Sequence, residues 1–258
     1  MKLFRDLYNY RELLKSNVKK EIRGKYKGSF LGVLWSFINP LLQTIVYTVV
    51  FSIIMKNNTI DNYLIFVVTG IIPWSFFITT MTQGMTTIKA NAGIIKKVYF
   101  PREILPISVA LSGLVNFFIS CVIIIMFCIF SGVGISWHII LVPFIALLQF
   151  IFSLGMVFAL SAINVYIQDM EYIVQFVLNM VFYATPILYQ ASDLPLTFQK
   201  ILSLNPMTYI MVAYRDTFMY HMLPSVKTMF VLAIISVLIC FVGYKIFKKL
   251  ERKFAEQI

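Results

Sequence analysis

The chain has 258 residues, 60% of them hydrophobic and 13% charged, with a mean hydropathy of +0.84. Soluble domains sit nearer half apolar and a quarter charged, so a cytosolic enzyme, a disulfide scaffold and a disordered chain are excluded, leaving an all-α integral membrane protein. The formal net charge is +11, and in such a protein the position of each charge says more than the total.

Residues 1–28 predict an amphipathic helix. Leu3, Leu7, Tyr10, Leu14, Val18 and Ile22 recur every three or four positions and draw one apolar stripe, while Arg5, Arg11, Lys15, Lys19 and Arg23 lie on other faces. A helix of this kind lies in the membrane interface, stripe in lipid and charges among headgroups. Packing of the stripe on a partner protein is the alternative. Gly24 and Gly28 bracket the break that follows.

Six apolar runs then meet the length needed to cross about 30 Å of hydrocarbon. They are residues 31–55, 63–81, 104–130, 139–165, 173–188 and 229–247. The fifth is the shortest and needs help from its flanks. Between the second and third runs, the polar loop 82–103 carries Lys89, Lys96, Lys97 and Arg102. Between the fifth and sixth, residues 189–228 stay apolar and aromatic but contain Pro195, Pro206 and Pro224. Two short helices are expected there, near 196–204 and 208–220, either capping the outer surface or re-entering the bilayer. No internal repeat appears, so 29–250 reads as one transmembrane domain followed by a short tail, 251–258. No cleavable leader is expected, since the first apolar run starts about 30 residues in and is too long for one.

Charge sets the orientation. Nine basic residues precede residue 31, four lie in the 82–103 loop and five in the tail from Lys245, which places 18 of the 22 on one side of a six-span arrangement. Lys56, Lys200, Arg215 and Lys227 make up the other side. The positive-inside rule puts both termini and the 82–103 loop in the cytoplasm. No basic segment forms a domain of its own, so nucleic-acid binding is not expected.

Chemistry-bearing motifs are sparse. There is no G-x-x-x-x-G-K-[ST] phosphate loop. The two histidines, His138 and His221, lie far apart, and Cys121, Cys128 and Cys240 all fall inside apolar runs as buried thiols, so neither a metal set nor a disulfide framework is expected. No nucleophilic triad assembles, and the chain is not expected to be an enzyme. The spans hold almost no ionisable groups, which ion-coupled transporters place at mid-membrane, so an external energy source is the simpler expectation. Aromatic residues make up 16% of the chain. Trp74, Phe76 and Phe77 beside Pro73, and Phe182, Tyr183 and Tyr189 beside Pro186, are candidates to line a translocation path, since ring faces stack on sugar C–H surfaces. Lipid-belt or packing roles account for each ring equally well.

Read together, several stretches resemble a known family. Arg23-Gly24-Lys25-Tyr26-Lys27-Gly28-Ser29-Phe30-Leu31-Gly32-Val33-Leu34-Trp35 leads into Asn39-Pro40-Leu41, followed by Gly70-Ile71-Ile72-Pro73-Trp74, Asn91-Ala92-Gly93-Ile94-Ile95-Lys96-Lys97-Val98-Tyr99-Phe100-Pro101 and Ile104-Leu105-Pro106. Over nearly the whole chain these are similar to permease subunits of type-2 ATP-binding-cassette exporters of cell-surface polysaccharide, a group that includes permeases for O-antigen, capsule and teichoic acid. The resemblance implies an in-plane amino-terminal helix, six spans and two re-entrant helices before the last. It implies a homodimer in the bacterial cytoplasmic membrane, working with two separate ATPase subunits that use ATP and Mg, and a lipid-linked polysaccharide as substrate. A drug or simple lipid is the alternative cargo.

The resemblance also assigns residues. Residues 87–98 correspond to the coupling helix that seats in the ATPase, with Lys89, Asn91, Gly93, Ile94, Lys96 and Lys97 as its candidate contacts. Positive-inside anchoring alone is the competing account of the lysines. The turn Asn164-Val165-Tyr166-Ile167-Gln168-Asp169 resembles a family turn ahead of an aspartate, with Gln168 where many relatives carry arginine, and Asp169 is expected to pair with a basic residue of the amino-terminal helix or of the ATPase. Asn205-Pro206-Met207 matches an asparagine-proline element that implies a hinge between the re-entrant helices.

Overall fold

A computed structural model describes residues 2–24, 30, 32–54 and 60–257. The expected break after Gly24 (residues 25–28) and the expected limits of the first span, Leu31 and Met55, lie outside them. The described residues form helices joined by turns and irregular stretches, with no strand.

The amino-terminal helix divides into α1 (Lys2–Asn9) and α2 (Arg11–Gly24). Backbone hydrogen bonds carry the turn across Tyr10, whose N–H donates to the Asp6 carbonyl while its own carbonyl accepts from Leu14, both at 3.0 Å. The stripe does not face lipid alone. Leu7, Tyr10, Leu13 and Leu14 pack on a buried cluster that includes Ile88, Phe100, Leu105, Phe158 and Phe247. Farther along, Leu14, Val18 and Ile22 face Leu111, Leu114, Val115 and Phe118 across an apolar groove. Burying an apolar stripe on the chain's own helix is as good a solution as burying it in lipid.

Among the described residues, five helices are long and apolar enough to cross a membrane. They are α3 (Trp35–Thr48, closing in a π-helical turn Val49–Ile54), α4 (Tyr63–Ala90), α6 (Ile104–Phe130), α7 (Val142–Tyr166, entered through a 3₁₀ turn Trp137–Leu141) and α11 (Val226–Leu250). A four-residue α5 (Ala92–Ile95) lies between α4 and α6. α4 runs nine residues past the expected end at 81. Hydropathy ends there, but the helix does not, because Thr82 and Thr86 return their hydroxyls to carbonyls three and four residues back and no glycine–proline pair interrupts it.

The expected fifth span, 173–188, is where the structure departs most from the sequence reading. Helix α8 covers Met170–Tyr183 and stops. Its 14 residues reach about 21 Å, short of the hydrocarbon thickness. Pro186 has no N–H and pushes Thr185 out of the helical region, so the chain continues through 184–190 as bends and turns while Thr185, Pro186, Ile187 and Leu188 stay buried. Two further helices follow, α9 (Leu196–Leu202) and α10 (Pro206–Phe218), and the tail turns back as α12 (Phe254–Gln257).

α4 occupies the centre of the bundle, packed against α3, α6, α7, α8 and α10. α11 lies along α7 at a crossing where Gly155 meets the backbone of Ile239 and Cys240. At the end of the bundle that holds both termini, Lys248 pairs with both Glu103 and Glu251, Arg102 donates to the Glu251 carbonyl, and the Tyr166 hydroxyl donates to the Leu250 carbonyl at 2.8 Å. Phe254 folds into the same cluster. All three cysteines are free, with Cys121 and Cys128 buried.

Candidate functional site

Three regions carry the residues singled out from the sequence. The first is the turn after α4, at 91–101. Its polar residues divide into two sets. Gly93, Ile94, Lys96 and Lys97 are exposed, and Val98 and Tyr99 extend the same surface, Tyr99 with 93% of its area open. Asn91 faces inward instead. Its Nδ2 donates to the Thr87 carbonyl at 2.7 Å and its Oδ1 accepts from Lys20 of α2 at 3.1 Å. Lys89 also turns inward, donating to Asn164 at 3.3 Å. The outward face is therefore a short apolar ridge edged by the exposed Lys96 and Lys97. Asn91 and Lys89 hold the turn in place from behind.

The second region, the turn between α7 and α8, is organised by Asn164. Its Nδ2 donates to the Met85 carbonyl at 3.1 Å and to Glu171 Oε1 at 3.2 Å, while its Oδ1 takes the Lys89 proton. Asp169 is exposed, heads α8 without a side-chain cap, and has no side-chain partner among the described residues. The carboxylate engaged at this end of α8 is Glu171.

The third region is the interior. Of the six candidate path aromatics, Trp74, Phe76 and Phe77 are buried within the chain and Phe182 and Tyr189 are partly so, whereas Tyr183 is 72% exposed. Trp74 lies 5.5 Å from Phe77 and 5.6 Å from Phe182, Phe77 stacks on Phe152 at 5.7 Å, and Tyr47 of α3 reaches Phe182 at 6.0 Å. Tyr183 sits edge-on to Phe182 at 5.2 Å, and its carbonyl accepts from the Tyr189 hydroxyl. Phe76 belongs to another set, with Phe117 at 5.6 Å and beyond it Tyr214 at 5.4 Å.

Phe76 also lines a cavity of about 380 Å³ between α3, α4 and α6. Trp35 and Phe117 are its other rings, and Ser36, Asn39, Ser75, Thr79, Asn116 and Ser120 supply hydroxyls and amides. None of the lining residues is charged. Sequence reasoning passed over these residues, yet their signal was present. Ser75 with Thr79 and Asn116 with Ser120 are four apart, one polar face on each of two apolar helices.

The outer segment holds the residue most misjudged from sequence. Arg215 was placed with the outer loop charges, but it is only 4% exposed. Its Nη1 donates to the Pro186 carbonyl at 2.6 Å, its Nη2 to the Ile187 carbonyl at 2.9 Å, and its guanidinium lies 3.4 Å from the Phe66 ring centroid. The Tyr63 hydroxyl holds the next carbonyl, Leu188, at 2.8 Å. Backbone freed from a helix inside a membrane protein needs such partners, and Arg215 supplies them for the stretch that Pro186 breaks. Asn205 caps α10 by accepting from Met207 N–H at 3.0 Å, and its Nδ2 donates to the Thr185 hydroxyl at 2.9 Å; Pro206 takes the first helical position. The pair thus ties α10 to the end of α8. Among the described residues, no three His, Cys, Asp or Glu side chains gather as a metal set.

Comparison with known proteins gives a consistent set. The family model described as ABC-2 type transporter matches residues 12–219. A protein of Myxococcus xanthus named O-antigen export system permease protein RfbA is 37% identical over 260 residues, the full length of both chains. A Klebsiella pneumoniae protein of the same name is 34% identical over 199 residues, 76% of each chain.

Proposed function

The chain belongs to the ABC-2 type transporter membrane family, and on that premise we propose that it is the permease subunit of an ATP-driven exporter of lipid-linked polysaccharide of the O-antigen class. The full-length similarity to an O-antigen permease carries this reading. The interior chemistry supports it over a drug or simple-lipid cargo. The cavity beside α3, α4 and α6 offers hydroxyls, amides and rings without charge, which suits a neutral, hydroxyl-rich polymer better than a cation or an acyl chain.

In this reading two copies of the chain form the path, and two separate ATPase subunits bind ATP and Mg. Their closure would press on the exposed ridge from Gly93 to Tyr99 of each permease. α8 and α3 both leave long exposed faces, which suits them to meet a second copy. Clustered cytoplasmic charge supports an even number of crossings with both termini inside the cytoplasmic membrane. α8 then crosses together with the clamped 184–190 stretch, and α9 and α10 re-enter from the outer side.

Deleting the chain in its host is expected to strip the polymer from the cell surface and strand it on its lipid in the cytoplasmic leaflet. Unchanged surface polymer would refute the reading. A narrower test addresses the ridge. Lys96→Glu with Lys97→Glu lies on exposed positions, so yield and thermal stability should stay at wild-type levels, while the ATPase subunit no longer copurifies. Normal copurification of the variant would remove the ridge from the docking surface.

A further inference from the structure

Asn164 is fully buried at the last turn of α7, and it joins three elements through one amide. Its oxygen faces the Lys89 ammonium at the end of α4, and its nitrogen faces the Glu171 carboxylate on the first turn of α8 and the Met85 carbonyl. The amide is oriented by the charges on either side, acceptor toward cation and donor toward anion. Among the described residues, Lys89 and Glu171 meet only through it. Lys89 lies three residues before the exposed ridge begins to form at Ala92, so one end of the chain of bonds moves with that ridge. The other end is a helix whose remaining anchors, the contacts of Phe182 with Trp74 and Tyr47 and the Asn205–Thr185 bond, lie at its far end. α8 buries only Val174 and Leu178 among its 14 residues and leaves Tyr172, Phe176 and Met180 open.

We infer that Asn164 is a positioning residue that carries displacement of the 87–98 segment to α8 through the Lys89–Asn164–Glu171 bonds. This rests on the permease reading above. A direct ion pair between Lys89 and Glu171 would hold the same two elements but would leave the Met85 carbonyl without this partner. The amide satisfies all three groups at once, with bonds of 3.1–3.3 Å, two of them to charged partners. Aspartate in its place would still attract Lys89 but would repel Glu171, so the link would open on the α8 side.

The test uses the complete complex of the chain with its ATPase partner in lipid nanodiscs and vesicles. Asn164→Leu and Glu171→Leu are each expected to lower polymer export per ATP hydrolysed by about tenfold. Hydrolysis itself should stay within about twofold, and Glu171→Gln, which still accepts the bond, should restore export. A purely structural role would lower yield, hydrolysis and export together and would gain nothing from glutamine; that outcome would overturn the inference. A second readout needs no polymer. In a background free of Cys121, Cys128 and Cys240, spin labels at Tyr99→Cys and Tyr172→Cys sit on exposed positions of the ridge and of α8. Their separation should stay constant when nucleotide is added to the otherwise wild-type complex. With Glu171→Leu it should shift and broaden. Identical distance distributions in both would also overturn the inference. If the wild-type complex moves no polymer, the permease reading fails while the label pair still decides the link.

Discussion

Replacing Arg215 by leucine is expected to cost about 3 kcal/mol of stability and to abolish export. The carbonyls of Pro186 and Ile187 would each lose a charge-assisted donor, at about 1–3 kcal/mol per buried group left unpaired. A countervailing effect exists, since leucine removes a buried cation whose desolvation is itself expensive. In the folded chain that cost is already offset by the carbonyls and by the Phe66 ring, whereas the broken backbone at 185–188 has no comparable substitute donor. Arg215→Lys should fall between, because one ammonium head cannot reproduce a fork that spans two successive carbonyls. Tyr63→Phe removes a single bond to Leu188 and should cost about 1 kcal/mol. Thermal unfolding of the purified variants in detergent checks the order wild type, Tyr63→Phe, Arg215→Lys, Arg215→Leu. A leucine variant as stable as wild type would mean that the 185–188 stretch is held by packing alone.

The second large effect concerns the crossing of α7 and α11. A Cβ at 155 would stand 2.5 Å from Cys240 N and Cα, and one at 243 would stand 2.8 Å from the Gly155 carbonyl carbon. Both contacts are with backbone, so no side-chain rotation relieves them. Within lipid, helices associate through close packing rather than through a hydrophobic drive, and forcing them apart forfeits dispersion along the whole seam. Gly155→Ala and Gly243→Ala should each cost about 3 kcal/mol, read as loss of monodisperse protein by size exclusion. Gly84 makes a useful contrast. Its added Cβ would meet the Val157 side chain at 2.5 Å, so Gly84→Ala should be rescued by Val157→Ala, while no truncation rescues the other two. Gly93→Ala, with nothing within 4 Å, should leave folding untouched. Equal tolerance at 155 and 93 would show that the seam is looser than its geometry.

Much of this fold was legible from local signals. Long apolar runs announce the five long helices, and clustered Lys89, Lys96, Lys97 and Arg102 mark the cytoplasmic turn. What escaped depended on distance along the chain. Arg215, within the helix expected near 208–220, reads as one more charge of the outer segment until the carbonyls of 186 and 187 are brought to it. Asn91 and Lys89 read as surface residues because their partners, Lys20 and Asn164, lie about 70 residues away. Two boundary errors had a different source. Hydropathy was used as a ruler for helix length, which shortened α4, whose polar end stays helical. It also lengthened α8, where Pro186 interrupts an apolar run. The turn at 164–169 drew attention to Asp169, yet the engaged groups are its neighbours Asn164 and Glu171.

Helix α4 runs for 28 residues, with Pro73 near its middle, and is about 42 Å long at 1.5 Å per residue. Its Tyr63 end is bonded to the broken stretch through Tyr63 and Arg215, and its Ala90 end to α2 and α7 through Asn91 and Lys89. Near its middle the Pro73 carbonyl accepts from Gln149 of α7 at 2.8 Å, and a helix gripped there and linked to other elements at each end behaves as a see-saw. Tilting it by about 10° around that grip would carry each tip about 4 Å in opposite directions. In the proposed exporter, a push delivered at the Gly93–Tyr99 ridge would therefore reach the Tyr63 end of α4 as geometry.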